Sequence, residues 1–151
     1  MITQEMILAT CRRRALAPLA ALLVPVLLAG CPGEPPCLDQ VAVDCAPLYE
    51  PTYDEIFART LLPTCGQEGT ACHAPEGARA GLVFADPDQA YSLLLGEGGA
   101  PARVLPDQPE CSPLLVRIES DDRSFQMPPG QMLSEAERCA IRKWVAAGAP
   151  R

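Results

Sequence analysis

The chain's single histidine, His73, directly follows Cys72, and Cys65 lies upstream, so the segment reads Cys65-Gly-Gln-Glu-Gly-Thr-Ala-Cys72-His73. A Cys-x-x-Cys-His run is the attachment signature for c-type haem: two thiols form thioethers with the vinyl groups, and the adjoining imidazole is aimed at the iron. Here six residues separate the thiols in place of two. A glycine-containing loop of that length can still bring them together, because closure entropy rises slowly with length. Two other chemistries use the same groups. A Cys65 to Cys72 disulfide would close a short loop and stabilise by about 2.5 kcal/mol. Zinc could take Cys65, Cys72 and His73, but it lacks a clear fourth ligand and suits an oxidising compartment poorly.

The compartment follows from the N-terminus. Arg12, Arg13 and Arg14 precede an apolar run from Ala15 to Gly30, interrupted only by Pro18 and Pro25 and ending in Leu28-Ala29-Gly30-Cys31. That tetrapeptide resembles the lipobox of bacterial lipoproteins, in which small residues precede a cysteine that carries diacylglycerol. The apolar run is shorter than the roughly 20 residues of a spanning helix, and two prolines weaken it as a helix. Residues 1–30 are therefore expected to be a removed signal peptide. Cys31 is then the lipidated N-terminus, and several acyl chains, palmitate among them, hold the chain to a membrane. Pro32-Gly33-Glu34-Pro35-Pro36 begins a stiff tether and extension covering residues 31–51. Gly33 stands where an aspartate would argue for inner-membrane retention, so the expected location is the envelope, outer membrane in preference to inner.

Removal of the signal leaves 9 Lys plus Arg (12 minus 3) and 18 Asp plus Glu (19 minus 1), a net charge of −9. Such an acidic surface repels phosphate backbones and excludes nucleic acid as a partner class. Six cysteines remain in an oxidising compartment: Cys37, Cys45, Cys65, Cys72, Cys111 and Cys139. An even count there implies disulfides, whose connectivity the sequence leaves open.

The elements that must position these groups are helices. Thr52-x-x-Glu55 is a capping box opening a helix of about nine residues that should end near Leu61, before Pro63. Asp86 as N-cap, Pro87 at the first helical position and Gly96 beyond the end delimit a second. A third runs from about Pro109 to Ile118. Ser134-x-x-Glu137 caps the last, which stops at Gly148. Only Gly81 to Ala85 approaches the alternation of a strand. On the last helix Ala140, Ile141, Trp144 and Val145 form one apolar arc, and Cys139 points away from its centre. An exposed thiol there would oxidise, so Cys139 should be bonded to a segment covering that face. Cys111 is the candidate partner, with a stabilisation of roughly 3.5 kcal/mol, and Cys37 and Cys45 would pair locally.

Residues 52–151 resemble the small class I cytochrome c domains, especially the planctomycete-type domain of exported bacterial proteins. The resemblance runs in order through YDEIFARTLL, the Cys-His site, a Gly-Leu segment, RVLPDQPECSPLLVRI, MPPG and LSEAERCAIRKWVAAGAP. It implies an all-α fold of about four short helices with long loops. It further implies haem c held by Cys65, Cys72 and His73, with Met127 as second axial ligand; Met132, beyond the Pro-Pro pair, is the other methionine nearby. A thioether ligand raises the potential and suits electron transfer. The expected function is a membrane-anchored electron carrier with a redox protein partner. The alternative is a haem-free, disulfide-stapled module of the same fold with a binding or structural role. An enzyme is not expected: there is one histidine, no activated serine, no paired-carboxylate signature and no phosphate loop.

Overall fold

The predicted N-caps open their helices, but the box at Thr52 is one-sided: Glu55 pairs with Arg59, and the Thr52 N–H donates to the Glu50 carbonyl. Residues 37–68 and 72–151 are described by the computed structural model; the signal segment, Cys31 and residues 32–36 lie outside them. Helix α1 (Tyr53–Ile56) opens with the Thr52 hydroxyl accepting the Glu55 N–H at 3.4 Å, and the chain continues as a π-helix over Phe57–Cys65. The sequence predicts an end near Leu61, yet the turns run on to Cys65. Proline removes one backbone donor wherever it falls. The wider π register absorbs Pro63, and the Gly66 N–H closes the element on the Leu61 carbonyl, five residues back, at 2.8 Å.

Helix α2 (Pro87–Leu95) has the Asp86 carboxylate accepting from Gln89 N–H at 2.8 Å and ends at Gly96 with φ +77°. The expected third helix is divided into a 3₁₀ turn (Pro109–Cys111) and α3 (Pro113–Ile118). Pro113 restarts the helix, and the buried Ser112 hydroxyl accepts from Leu105 N–H and donates to the Gln108 carbonyl, both at 2.9 Å. Helix α4 (Glu135–Ala146) carries the reciprocal box: Glu137 N–H donates to the Ser134 hydroxyl at 3.3 Å, and Ser134 N–H to the Glu137 carboxylate at 2.8 Å. Residues 81–85 form no strand; a 3₁₀ turn (Arg79–Gly81) leads into extended chain. The described residues are thus all-α, with long loops between short helices.

Tyr53, Ile56, Leu61, Phe84, Leu94, Leu115, Ile141 and Trp144 are buried together in one core. The closing residues fold back over it. Gly148 at φ +88° turns the chain so that Ala149 N–H meets the Trp144 carbonyl at 2.9 Å, and the Trp144 indole N–H donates to the Pro150 carbonyl at 2.8 Å. Tyr91 donates to the Ala149 carbonyl at 2.9 Å, and its ring meets Tyr53 edge-on at 4.9 Å.

The disulfides correct the predicted pairing. Cys37 bonds Cys111 and Cys45 bonds Cys139; neither the Cys111 to Cys139 bond nor the local Cys37 to Cys45 bond forms. The helical wheel was right that Cys139 needs a cover, and that residue is fully buried. The covering segment is residues 37–49, which lie across the domain instead of folding on themselves. Leu38 packs against the core and donates its N–H to the Glu110 carbonyl, Leu48 donates to the Ala136 carbonyl, both at 2.9 Å, and Tyr49 is buried with its hydroxyl bonded to Thr60. Burial of Leu38 and Tyr49 lays this strap down, and each cysteine then meets the helix beneath it.

Candidate functional site

The π-helix delivers Cys65, half-buried, to the edge of the core, and Cys72 and His73 stand beside it. His73 donates its backbone N–H to the Cys65 carbonyl at 3.1 Å and receives Phe84 N–H on its own carbonyl at 2.8 Å. Arg79 N–H meets the Cys72 carbonyl at 3.0 Å. Backbone bonds on both sides therefore fix the attitude of the Cys-His pair.

The imidazole is held in one tautomer. Its Nδ1 lies 3.2 Å from the Leu82 carbonyl oxygen. A carbonyl only accepts, so Nδ1 carries the hydrogen and the lone pair of the neutral ring is on Nε2. Burial lowers the His73 pKa and the Arg103 and Arg117 charges act in the same sense, against the carbonyls of Leu82 and Arg79. The Phe84 ring stands edge-on to the imidazole at 5.3 Å. A neutral ring with Nδ1–H on a carbonyl is the arrangement that orients a metal-binding histidine.

Cys65 and Cys72 are both free thiols, so the disulfide considered for this pair is absent. Burial pushes the Cys65 thiol up to about 12, with Cys72 and Glu137 adding to the effect. It is accordingly a neutral, weakly reactive thiol and a poor zinc ligand.

Met127 lies on the loop before α4. Its N–H donates to the Arg117 carbonyl at 3.0 Å, the peptide bond to Pro128 is cis, and its side chain packs against the core. Thr64, which precedes Cys65, and Pro128, which follows Met127, line one cavity of about 350 Å³ together with Met132, Leu133 and Glu137. The structure thus brings the Cys72-His73 pair onto the backbone of Cys65, and it places Pro128 on the same cavity as Thr64. Met132 faces the cavity, whereas Met127 is the methionine packed on the core.

Three contributors escape a search for reactive side chains. Leu82 acts through its carbonyl, Phe84 through its ring, and Gly66 through having no side chain. A Cβ at Gly66 would stand 2.5 Å from the Phe84 oxygen and 2.7 Å from its Cβ. The π-helix can approach the His73 to Phe84 segment that closely only at glycine. The glycine directly after Cys65 was the one available signal.

Residues 70–131 match the family model described as Planctomycete cytochrome C. The match takes in Cys72, His73 and Met127 and leaves Cys65 outside it, so the resemblance holds for the part of the site that follows the stretched spacing. No curated protein and no solved structure matches the chain.

Proposed function

From a domain that is cytochrome c-like over residues 70–131, we propose a membrane-anchored electron carrier whose haem is attached through Cys65 and Cys72. His73 Nε2 would be the proximal ligand and Met127 the distal one. The observation that carries this reading is the Nδ1–H bond of His73 to the Leu82 carbonyl on a ring whose protonation burial disfavours. The donor set fits the group: two free thiols, one of them adjoining a neutral imidazole with its lone pair on Nε2. When bound, haem supplies a one-electron couple, whose potential a thioether ligand raises. The chain's own work is to orient. Leu82 holds the imidazole, Phe84 limits its rotation, and the Arg117 carbonyl fixes the backbone of Met127. The proposed role is electron transfer to a redox protein partner, not enzymatic catalysis.

The anchor belongs to the same proposal. Cys31 would carry lipid and hold the domain to the outer membrane in preference to the inner one; normal processing of the precursor in the presence of globomycin would overturn it. Haem is tested by expression in a host with cytochrome c maturation. The expected product is red, keeps its haem through acid-acetone extraction and shows the bands of a low-spin c-type centre. Folded, colourless wild-type protein would overturn the electron carrier and favour a haem-free module held by its disulfides.

A further inference from the structure

A covalent bond sets where the folded domain is fastened to its tether. Cys37 is exposed and joined to Cys111, and Cys31, the proposed lipid-bearing residue, precedes it by six residues. Six residues of chain span at most about 20 Å, whatever their conformation. A domain of about 115 residues is roughly 35 Å across. The bond therefore decides which side of the domain can meet the leaflet. The surface around Cys37 and Cys111 lies within reach of it, and the far side does not.

That surface carries a cavity of about 390 Å³, lined by both cysteines together with Pro101, Leu105, Pro113 and Arg117. No acidic side chain lines it, in a chain whose net charge after signal removal is −9. Glu110 and Asp39 adjoin the bonded segments in sequence but stand outside the lining. Arg117 is the one charge there, and it is half-buried with no carboxylate partner among the described residues. Its guanidinium donates to the Phe125 carbonyl at 3.3 Å and lies over the Phe125 ring at 4.8 Å. A guanidinium held in this way still has donors for a phosphate oxygen and loses little entropy in using them. Apolar side chains around a cation suit the boundary between lipid head groups and acyl chains.

We propose that the face running from the Cys37 to Cys111 bond to Arg117 docks on the phospholipid leaflet that carries the anchor. A lipid phosphate sits on Arg117, and Pro101, Leu105 and Pro113 rest at the head-group boundary. This rests on the lipid anchor proposed at Cys31 and is independent of haem. The short tether makes a weak contact sufficient, because it keeps the face at a high effective concentration beside the leaflet.

The experiment places the processed, lipidated chain in vesicles of phosphatidylcholine and phosphatidylglycerol and maps it by hydroxyl-radical labelling. Pro101, Leu105 and Pro113 should be labelled several-fold less than in the same chain with a long Gly-Ser insert between Pro36 and Cys37. Leu48 and Leu62, exposed and outside the lining, should be labelled alike in both. Arg117→Gln is expected to weaken the protection about fivefold, the worth of one cation at an anionic surface, and Arg117→Lys to restore most of it. Pro101→Glu changes an exposed position and should weaken it in the same sense without touching Arg117. Equal labelling of the face with short and long tethers, both chains remaining in the vesicle pellet, would overturn the docking and leave the anchor standing. Protection that follows protein density in the vesicle, and not phosphatidylglycerol, would make a second copy the occupant and overturn the lipid assignment. A chain that matures normally under globomycin and stays out of the vesicle pellet would overturn the anchor, and the docking with it.

Discussion

Replacing Cys45 and Cys139 together by alanine should cost this domain about 4 kcal/mol. The bond spans a sequence separation of 94, and the Cys37 to Cys111 bond spans 74. The two loops interlock, which sets the magnitude. With Cys37 and Cys111 already joined, the shortest covalent path from Cys45 to Cys139 runs back to Cys37, across that bond and on from Cys111, about 36 residues. A loop of that length gives roughly 3.8 kcal/mol, compared with about 4.7 kcal/mol for the full span closed alone. Urea denaturation of the oxidised wild type and the double variant is the assay. With a slope of about 1.5 kcal/mol per molar, the midpoint should fall by roughly 2.5 M. A fall below about 0.5 M would refute the loop argument. Recovery of Cys37 to Cys45 and Cys111 to Cys139 peptides from non-reduced wild type would refute the pairing itself. The consequence reaches the site, because the strap that this bond secures carries Tyr49, whose hydroxyl bonds Thr60 on the π-helix leading to Cys65.

In haem-loaded protein His73→Ala should abolish the proximal ligand and most of the colour, whereas Met127→Ala should keep attached haem that turns high-spin or takes a new ligand; identical spectra for the two would contradict their separate roles. Gly66→Ala forces a Cβ into the Phe84 backbone, and should destabilise by about 1–3 kcal/mol and reduce haem attachment; a neutral result in thermal melts would show that this contact is not tight. In the haem-free chain Cys65, its thiol at about 12, should be alkylated by iodoacetamide at pH 8 on the order of a hundredfold more slowly than an ordinary thiol, the lost thiolate outweighing the greater nucleophilicity of a more basic sulfur. The raised value keeps the rate climbing with pH toward about 12, where an ordinary thiol has already levelled off. Reaction of Cys65 at the rate of a model thiol in peptide mass mapping would contradict its burial.

Local signals in the chain were sufficient for where the helices start. A capping box needs only residues three apart, so Thr52 with Glu55 and Ser134 with Glu137 declare helix starts that any tertiary context leaves in place. Pro87 and Gly96 mark α2 for the same reason, through backbone preferences that belong to single residues. Cys65, Cys72, His73 and Met127 were visible as types and as an order along the chain. What the sequence could not carry was everything settled by two segments distant in the chain. Pro63 predicts a stop, and the helix passes it because core contacts of Phe57 and Leu61 hold the wider turn. The wheel of α4 shows that Cys139 needs a partner, but the choice of Cys45 depends on where Leu38 and Tyr49 find apolar surface. The Leu82 carbonyl and the bare Cα of Gly66 have no chemical signature of their own. They matter only because the fold puts one against an imidazole and the other against Phe84, and burial of the shared core decides those distances.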